Sequence, residues 1–211
     1  MVDDKKKKLD INLLWQKVNI ILNPEILEIS QKVHFFSDEI MKFEAKEEIR
    51  PDEIGIDELR LGLSESYSDL GIALMKIKRL DLAHISFLYA IELDVRNFIA
   101  FYQMGILAKN AKNYTFAIRS FKLALDINCN FFAAQLKLSN CLEEIEEWEQ
   151  ALESYKSIPE NDDNYPVSQL SLMRLFVKTG QREKAKILFE GHKANSRLID
   201  LYEEMQKIID L

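Results

Sequence analysis

Four alanines recur at one spacing: Ala83, Ala117, Ala151 and Ala185, each 34 residues after the last. Four residues beyond each stands an aromatic: Phe87, Phe121, Tyr155 and Phe189. Thirteen residues before each is a large apolar residue, Leu70, Met104, Leu138 and Leu172; twelve before are Gly71, Gly105, Ser139 and Met173. A period of this length, with these residue types at fixed offsets, marks a stacked helix–turn–helix array. Small residues let two helix backbones approach where they cross, and a large side chain there would overpack the crossing at about 1–3 kcal/mol. The aromatic one turn after each alanine lies on the same helix face and can fill the gap between one pair and the next. One pair cannot bury its apolar face alone, so neighbours must stack.

These registers, running from Ser64 to Asn195, resemble the tetratricopeptide repeat (TPR) family. The resemblance implies an all-α fold: a right-handed α-solenoid of about four TPR helix pairs, with an N-terminal helical extension and a C-terminal capping helix. It places repeats at 64–97, 98–131 and 132–165, and a degenerate fourth at 166–195. The family's aromatic between the two helices is matched by Tyr114 and Trp148 but not by Leu80 or Arg182. Its late proline is replaced by Val95, Cys129 and Asp163, and Met173 and His192 occupy small-residue positions of the fourth repeat.

The flanks read as follows. Residues 1–8, with Lys5 to Lys8, are expected to be a disordered basic tail. Residues 9–50 are expected to form a helical extension or cap. Ile11, Leu14, Trp15, Val18 and Leu22 make one helical stripe. Asn23-Pro24 breaks it and Pro24 opens a second helix to about Glu48. In that helix Ile29, Val33, Phe36 and Ile40 form a heptad-like seam, either a cap packed on the first repeat or an oligomer seam through which the chain would homodimerise. Residues 51–63 read as a linker running into the first repeat helix, with Asp57 as its N-cap. Gly180 suits a helix C-cap. In 196–211, Leu198, Leu201, Tyr202, Met205, Ile208 and Ile209 mark an amphipathic helix that covers the last repeat.

In the family the first helix of each repeat lines the concave surface. The same offsets give Glu65, Ser68, Ile72 and Met75; Ile99, Tyr102, Ile106 and Lys109; Ala133, Leu136, Asn140 and Glu143; and Val167, Leu170, Arg174 and Val177. The partner-binding groove expected from these comprises Ile72, Met75, Ile99, Tyr102, Ile106, Lys109, Leu136, Asn140, Leu170 and Arg174. Its centre is apolar, which suits an amphipathic helix or an extended peptide with hydrophobic anchors. The alternative is that Leu9–Leu22 or the C-terminal helix folds back into it. Some TPR proteins grip a C-terminal carboxylate with a Lys/Asn/Asn/Lys/Arg clamp. Those positions here are Ser68, Ile72, Gln103, Ala133 and Lys137, so no such clamp is expected.

A formal charge of −7 argues against nucleic acid as a main partner, because phosphate binding needs a basic surface. No apolar run is long enough to span a membrane. The basic start is followed by a stretch broken by Asp10, Asn12, Gln16, Lys17 and Asn19, so no export signal is read and the cytoplasm is the expected compartment. Cys129 and Cys141 form no zinc or redox pattern. His34, His84 and His192 lie far apart, with no acid or cysteine at metal-ligand spacing. No phosphate loop or nucleophile motif is present. The expectation is therefore a protein-binding scaffold or adaptor without catalysis, metal or cofactor. The alternative is a structural subunit or assembly chaperone, of the secretion type in its narrower version, working through the N-terminal seam.

Overall fold

A computed structural model describes residues 23–45, 55–192 and 202–210. Every regular element among the described residues is a helix: α1 (Pro24–Glu44), α2 (Ile56–Lys76), α3 (Leu80–Leu93), α4 (Phe98–Asn110), α5 (Tyr114–Ile127), α6 (Phe132–Glu144), α7 (Trp148–Lys156), α8 (Tyr165–Lys178), α9 (Arg182–His192) and α10 (Tyr202–Asp210). Among them α2 pairs with α3, α6 with α7 and α8 with α9, while α1 packs on α2 and α10 on α8 and α9. The expected tail and first helix, residues 1–22, lie outside the described residues, as do residues 46–54, which include the first four of the expected linker, and Leu198 and Leu201; from Ile56 the expected linker is helix.

The 34-residue register is a packing register. Ala83, Ala117, Ala151 and Ala185 are all fully buried, and so are Phe87, Phe121 and Tyr155, with Phe189 nearly so. Leu70, Met104, Leu138 and Leu172 are buried. The small-residue positions are buried too, and Met173 fills the fourth of them.

The turn that follows α2, α4, α6 and α8 repeats as well. Lys78, Lys112, Glu146 and Gly180 adopt left-handed φ values of 61°, 58°, 63° and 75°. At each turn the next residue's N–H reaches back to a carbonyl of the helix: Arg79 to Leu74, Asn113 to Ala108, Glu147 to Leu142 and Gln181 to Phe176. This is the Schellman closure, which satisfies carbonyls that a helix end leaves open. Gly180 closes its helix in the expected way, while the other three repeats carry the same turn on side chains that resist it.

The chain divides into two compact units, Met1–Leu107 and Ala108–Leu211. In the first, α1 packs on α2 and α2 on α3. The core joins Ile26, Ile29 and Val33 of α1 to Leu63, Tyr67, Leu70 and Leu74 of α2, with Leu82, Ala83 and Phe87 of α3 and Ala100 and Met104 of α4. Asn23 caps α1, its Oδ1 accepting from the N–H groups of Glu25 (2.9 Å) and Ile26 (3.3 Å). The N-cap of α2 is Gly55, not Asp57. Asp57 sits in the first turn, where its carboxylate meets the positive end of the helix dipole.

In the second unit each helix from α5 to α9 packs on the next, and α10 packs on α8 and α9. Met205 and Ile208 of α10 join Leu170, Met173 and Phe189 in one buried cluster. The α8–α9 pair is thereby covered by α10.

Candidate partner-binding surface

The inner helix of each pair must present one face to its neighbours and leave another free. In the first unit the inner face that the described residues leave half-buried is apolar. Ile72 and Met75 of α2 pack against the core from outside and stay half-buried. Ile99, Tyr102 and Ile106 of α4 are also half-buried. Burial pushes the Tyr102 phenol above its ordinary value, so it remains a neutral O–H at any physiological pH.

Ser68 does not belong to that face. It is buried, and its Oγ accepts from Nδ2 of Asn97 at 2.9 Å. The same amide donates to Ser64 Oγ at 2.8 Å, and Ser64 Oγ in turn donates to the carbonyl of Ala90. Asn97 Oδ1 accepts from the N–H of Ala100 at 2.9 Å, closing the start of α4. One side chain thus ties α2, α3 and α4 together through a buried polar junction. Sequence reasoning gave Asn97 no role beyond closing the repeat at 64–97; serines at 64 and 68 on one helix face were the available clue.

The second unit's inner positions are different in kind. Leu136 is buried rather than presented, and Leu170 lies under Met205 and Ile208 in the cluster with α10. Arg174 is exposed but donates to Glu204 Oε1 of α10. The C-terminal helix therefore occupies the place expected for a partner at Leu170 and Arg174. Asn140 Oδ1 accepts from the Tyr155 hydroxyl, which also lies 3.2 Å from Glu143. Burial, aided by Glu143, holds the Tyr155 phenol well above its ordinary range. Lys178 reaches both Glu143, at 3.5 Å, and the Trp148 ring, at 4.8 Å. Lys109 is half-buried. This face is polar and already cross-linked.

The seam of α1 is likewise engaged within the chain. Val33 is fully buried, Ile29 is buried, and Phe36 and Ile40 pack against the same core. The opposite side of α1 carries a second apolar set, Leu27, Phe35 and Met41, each more than half exposed. Among the described residues, no three His, Cys, Asp or Glu side chains are grouped to hold a metal ion, and no helix is long and apolar enough to cross a membrane. Burial pushes the Cys141 thiol up to about 11, which keeps it protonated and unreactive at neutral pH.

No family model matches the chain, and no curated protein matches it. Solved structures do. YrrB, "a TPR protein with an unusual peptide-binding site", superposes over 93% of this chain and 96% of its own at a TM-score of 0.58 and 16% identity. The chain has the tetratricopeptide-repeat fold. A crystal structure of MamA matches over 84% of this chain and 96% of its own, with a TM-score of 0.58 and 19% identity. MamA from Desulfovibrio magneticus RS-1 gives a TM-score of 0.57 at 16% identity, over 83% and 96% of the two chains. In this TPR architecture the alanine–aromatic register is buried.

Proposed function

We propose that this chain is a non-catalytic protein-interaction scaffold that binds a helical or extended partner segment on the apolar inner face of its first unit. The observation that carries this reading is the half-burial of Ile72, Met75, Ile99, Tyr102 and Ile106, while the packing register around them is closed to solvent. Half-exposed apolar side chains supported by a rigid core suit a partner's hydrophobic anchors, since little conformational entropy remains to be lost there. The likeness to YrrB supports peptide recognition as a use to which this fold is put. Polar cross-links and α10 leave Asn140, Leu170 and Arg174 a smaller part in binding.

The test is the double variant Tyr102→Glu/Ile106→Lys. It should abolish capture of native partners while leaving helicity and thermal unfolding nearly unaltered. Unchanged capture by the folded variant would refute the reading.

A second reading, a subunit or assembly chaperone of a larger complex, is favoured by the outward face of α1. With Ile29, Val33, Phe36 and Ile40 packed inward, contact with another subunit would run through Leu27, Phe35 and Met41. Replacing those three with Ser should then dissolve the assembly and leave the first unit folded.

A further inference from the structure

The cleft between α7, α8 and α9 has a floor of Leu172 and Phe176, both nearly buried, and a wall formed by Tyr165 and Leu188. Its volume is about 410 Å³, enough for one or two side chains of a short segment and too little for a whole helix. Ile187 stands at the mouth with 71% of its surface exposed. Lys156 and Lys184 both approach the Phe176 ring, their Nζ atoms 5.8 and 5.9 Å from its centroid.

The charge at this mouth runs against that of the chain. The protein is acidic overall, at −7. Neighbouring lysines on the same helices are neutralised, Lys178 by Glu143 at 3.5 Å and Lys186 by Glu183 at 3.0 Å. Neither Lys156 nor Lys184 forms an ion pair among the described residues; Lys184 donates to the neutral Gln181 Oε1. Glu160 is the acid whose field reaches this corner, acting on His192 and Tyr165.

We propose that this cleft is a second docking surface, separate from the inner face, that takes a short acidic segment carrying an apolar anchor residue. The anchor sits on Phe176 and Leu172 and covers Ile187. Flanking carboxylates meet the two ammonium groups that stand near the aromatic ring.

A dye-labelled short peptide of alternating Glu and Leu with blocked termini is the probe, read by fluorescence anisotropy on the full chain. Saturable binding is expected, weakening about tenfold or more in Lys156→Glu/Lys184→Glu and at high salt. The same peptide with Gln in place of Glu should bind at least about tenfold more weakly. Both lysines are exposed, so the variant should fold, as matching thermal unfolding would verify. A second variant, Ile187→Asp, should also lose binding. Tyr102→Glu/Ile106→Lys should retain it, which keeps failure here distinct from failure of the inner-face reading. Absence of saturable binding, equal binding of the Gln peptide, or unchanged affinity in the lysine variant would each overturn the proposal. So would a dimer of the chain that the lysine variant dissolves, since the face would then belong to a second copy.

Discussion

The ring of Phe87 lies where a side chain on Gly71 would have to go: a Cβ at Gly71 would sit 2.4 Å from Cε1 and 2.6 Å from Cζ of that ring. Phe87 is fully buried and has nowhere to move. Gly71→Ala gains about 1 kcal/mol of helix propensity but overpacks the crossing by about 1–3 kcal/mol. A net loss is expected in urea unfolding, with recovery in Gly71→Ala/Phe87→Leu. Gly62→Ala meets Phe36 at 2.6 Å, but Phe36 is only half-buried and can swing aside. That variant should be neutral or slightly stabilising, and an equal loss at both glycines would refute the distinction.

The four left-handed turns offer a graded test. A residue with a Cβ in this conformation costs roughly 1–2 kcal/mol, offset in part by the extra unfolded-state entropy of glycine. Lys78→Gly, Lys112→Gly and Glu146→Gly should each raise stability by about 0.5–1 kcal/mol. Gly180→Ala should lower it by about 1 kcal/mol. Thermal midpoints of the four variants check the sign at each turn.

The contrast among these turns shows what was legible in the sequence. The alanine–aromatic interval was readable because close helix crossing tolerates few residue types, so packing writes itself into the chain. The turn geometry was readable only at Gly180, since Lys78, Lys112 and Glu146 carry no chemical mark of a left-handed backbone. The inner face was half readable. Ile72, Tyr102 and Ile106, chosen by offset, are half-buried on their helices. The offsets did not show that Ser68 turns into a junction with Asn97, and the cover of Met205 and Ile208 over Leu170 was read only as the alternative in which the C-terminal helix folds back into the groove. Those outcomes depend on which element packs next, and periodicity carries no record of it.

Asn97 is the most consequential polar residue of the first unit. Asn97→Ala removes the cap on α4, worth about 1 kcal/mol, and costs Ser68 its buried partner, about 1–3 kcal/mol more. A loss of about 2–4 kcal/mol is expected in chemical unfolding. Asn97→Asp keeps the capping oxygen but buries a carboxylate against Ser64, whose own proton is committed to Ala90. It should destabilise at neutral pH and recover part of the loss on acidification, as the carboxyl takes up a proton. Loss of less than 1 kcal/mol in the alanine variant would mean that water replaces the amide.

The C-terminal helix should behave as a cover held by packing rather than by charge. Met205 is almost wholly buried, so Met205→Ala should cost about 2–5 kcal/mol of α10 docking. Exposure of Leu170, Met173 and Phe189 should follow, read as binding of a hydrophobic dye. Arg174→Ala removes an exposed ion pair to Glu204, a change of about 1 kcal/mol or less. Dye binding by the arginine variant as strong as that of Met205→Ala would reverse this order.

His192 should make the second unit sensitive to mild acid. Its Nε2 lies 3.1 Å from Gln169 Oε1, a carbonyl that can only accept, so this nitrogen carries the proton of the neutral ring. The ring meets Tyr165 edge-on, at 6.0 Å between centroids. Burial pushes the imidazole below its ordinary 6.5, and the charge of Glu160 only partly opposes it. In the unfolded chain the ring protonates at its ordinary value, so the unfolded state binds the extra proton first as pH falls. The unfolding free energy therefore drops as pH is lowered through the window just below 6.5, and levels off once the native ring also protonates. Above that window the contribution is complete. Urea unfolding at pH 7.5 and pH 5.5 should show a larger loss for the native chain than for His192→Gln, whose amide does not titrate. Equal losses in the two proteins would place the acid sensitivity elsewhere.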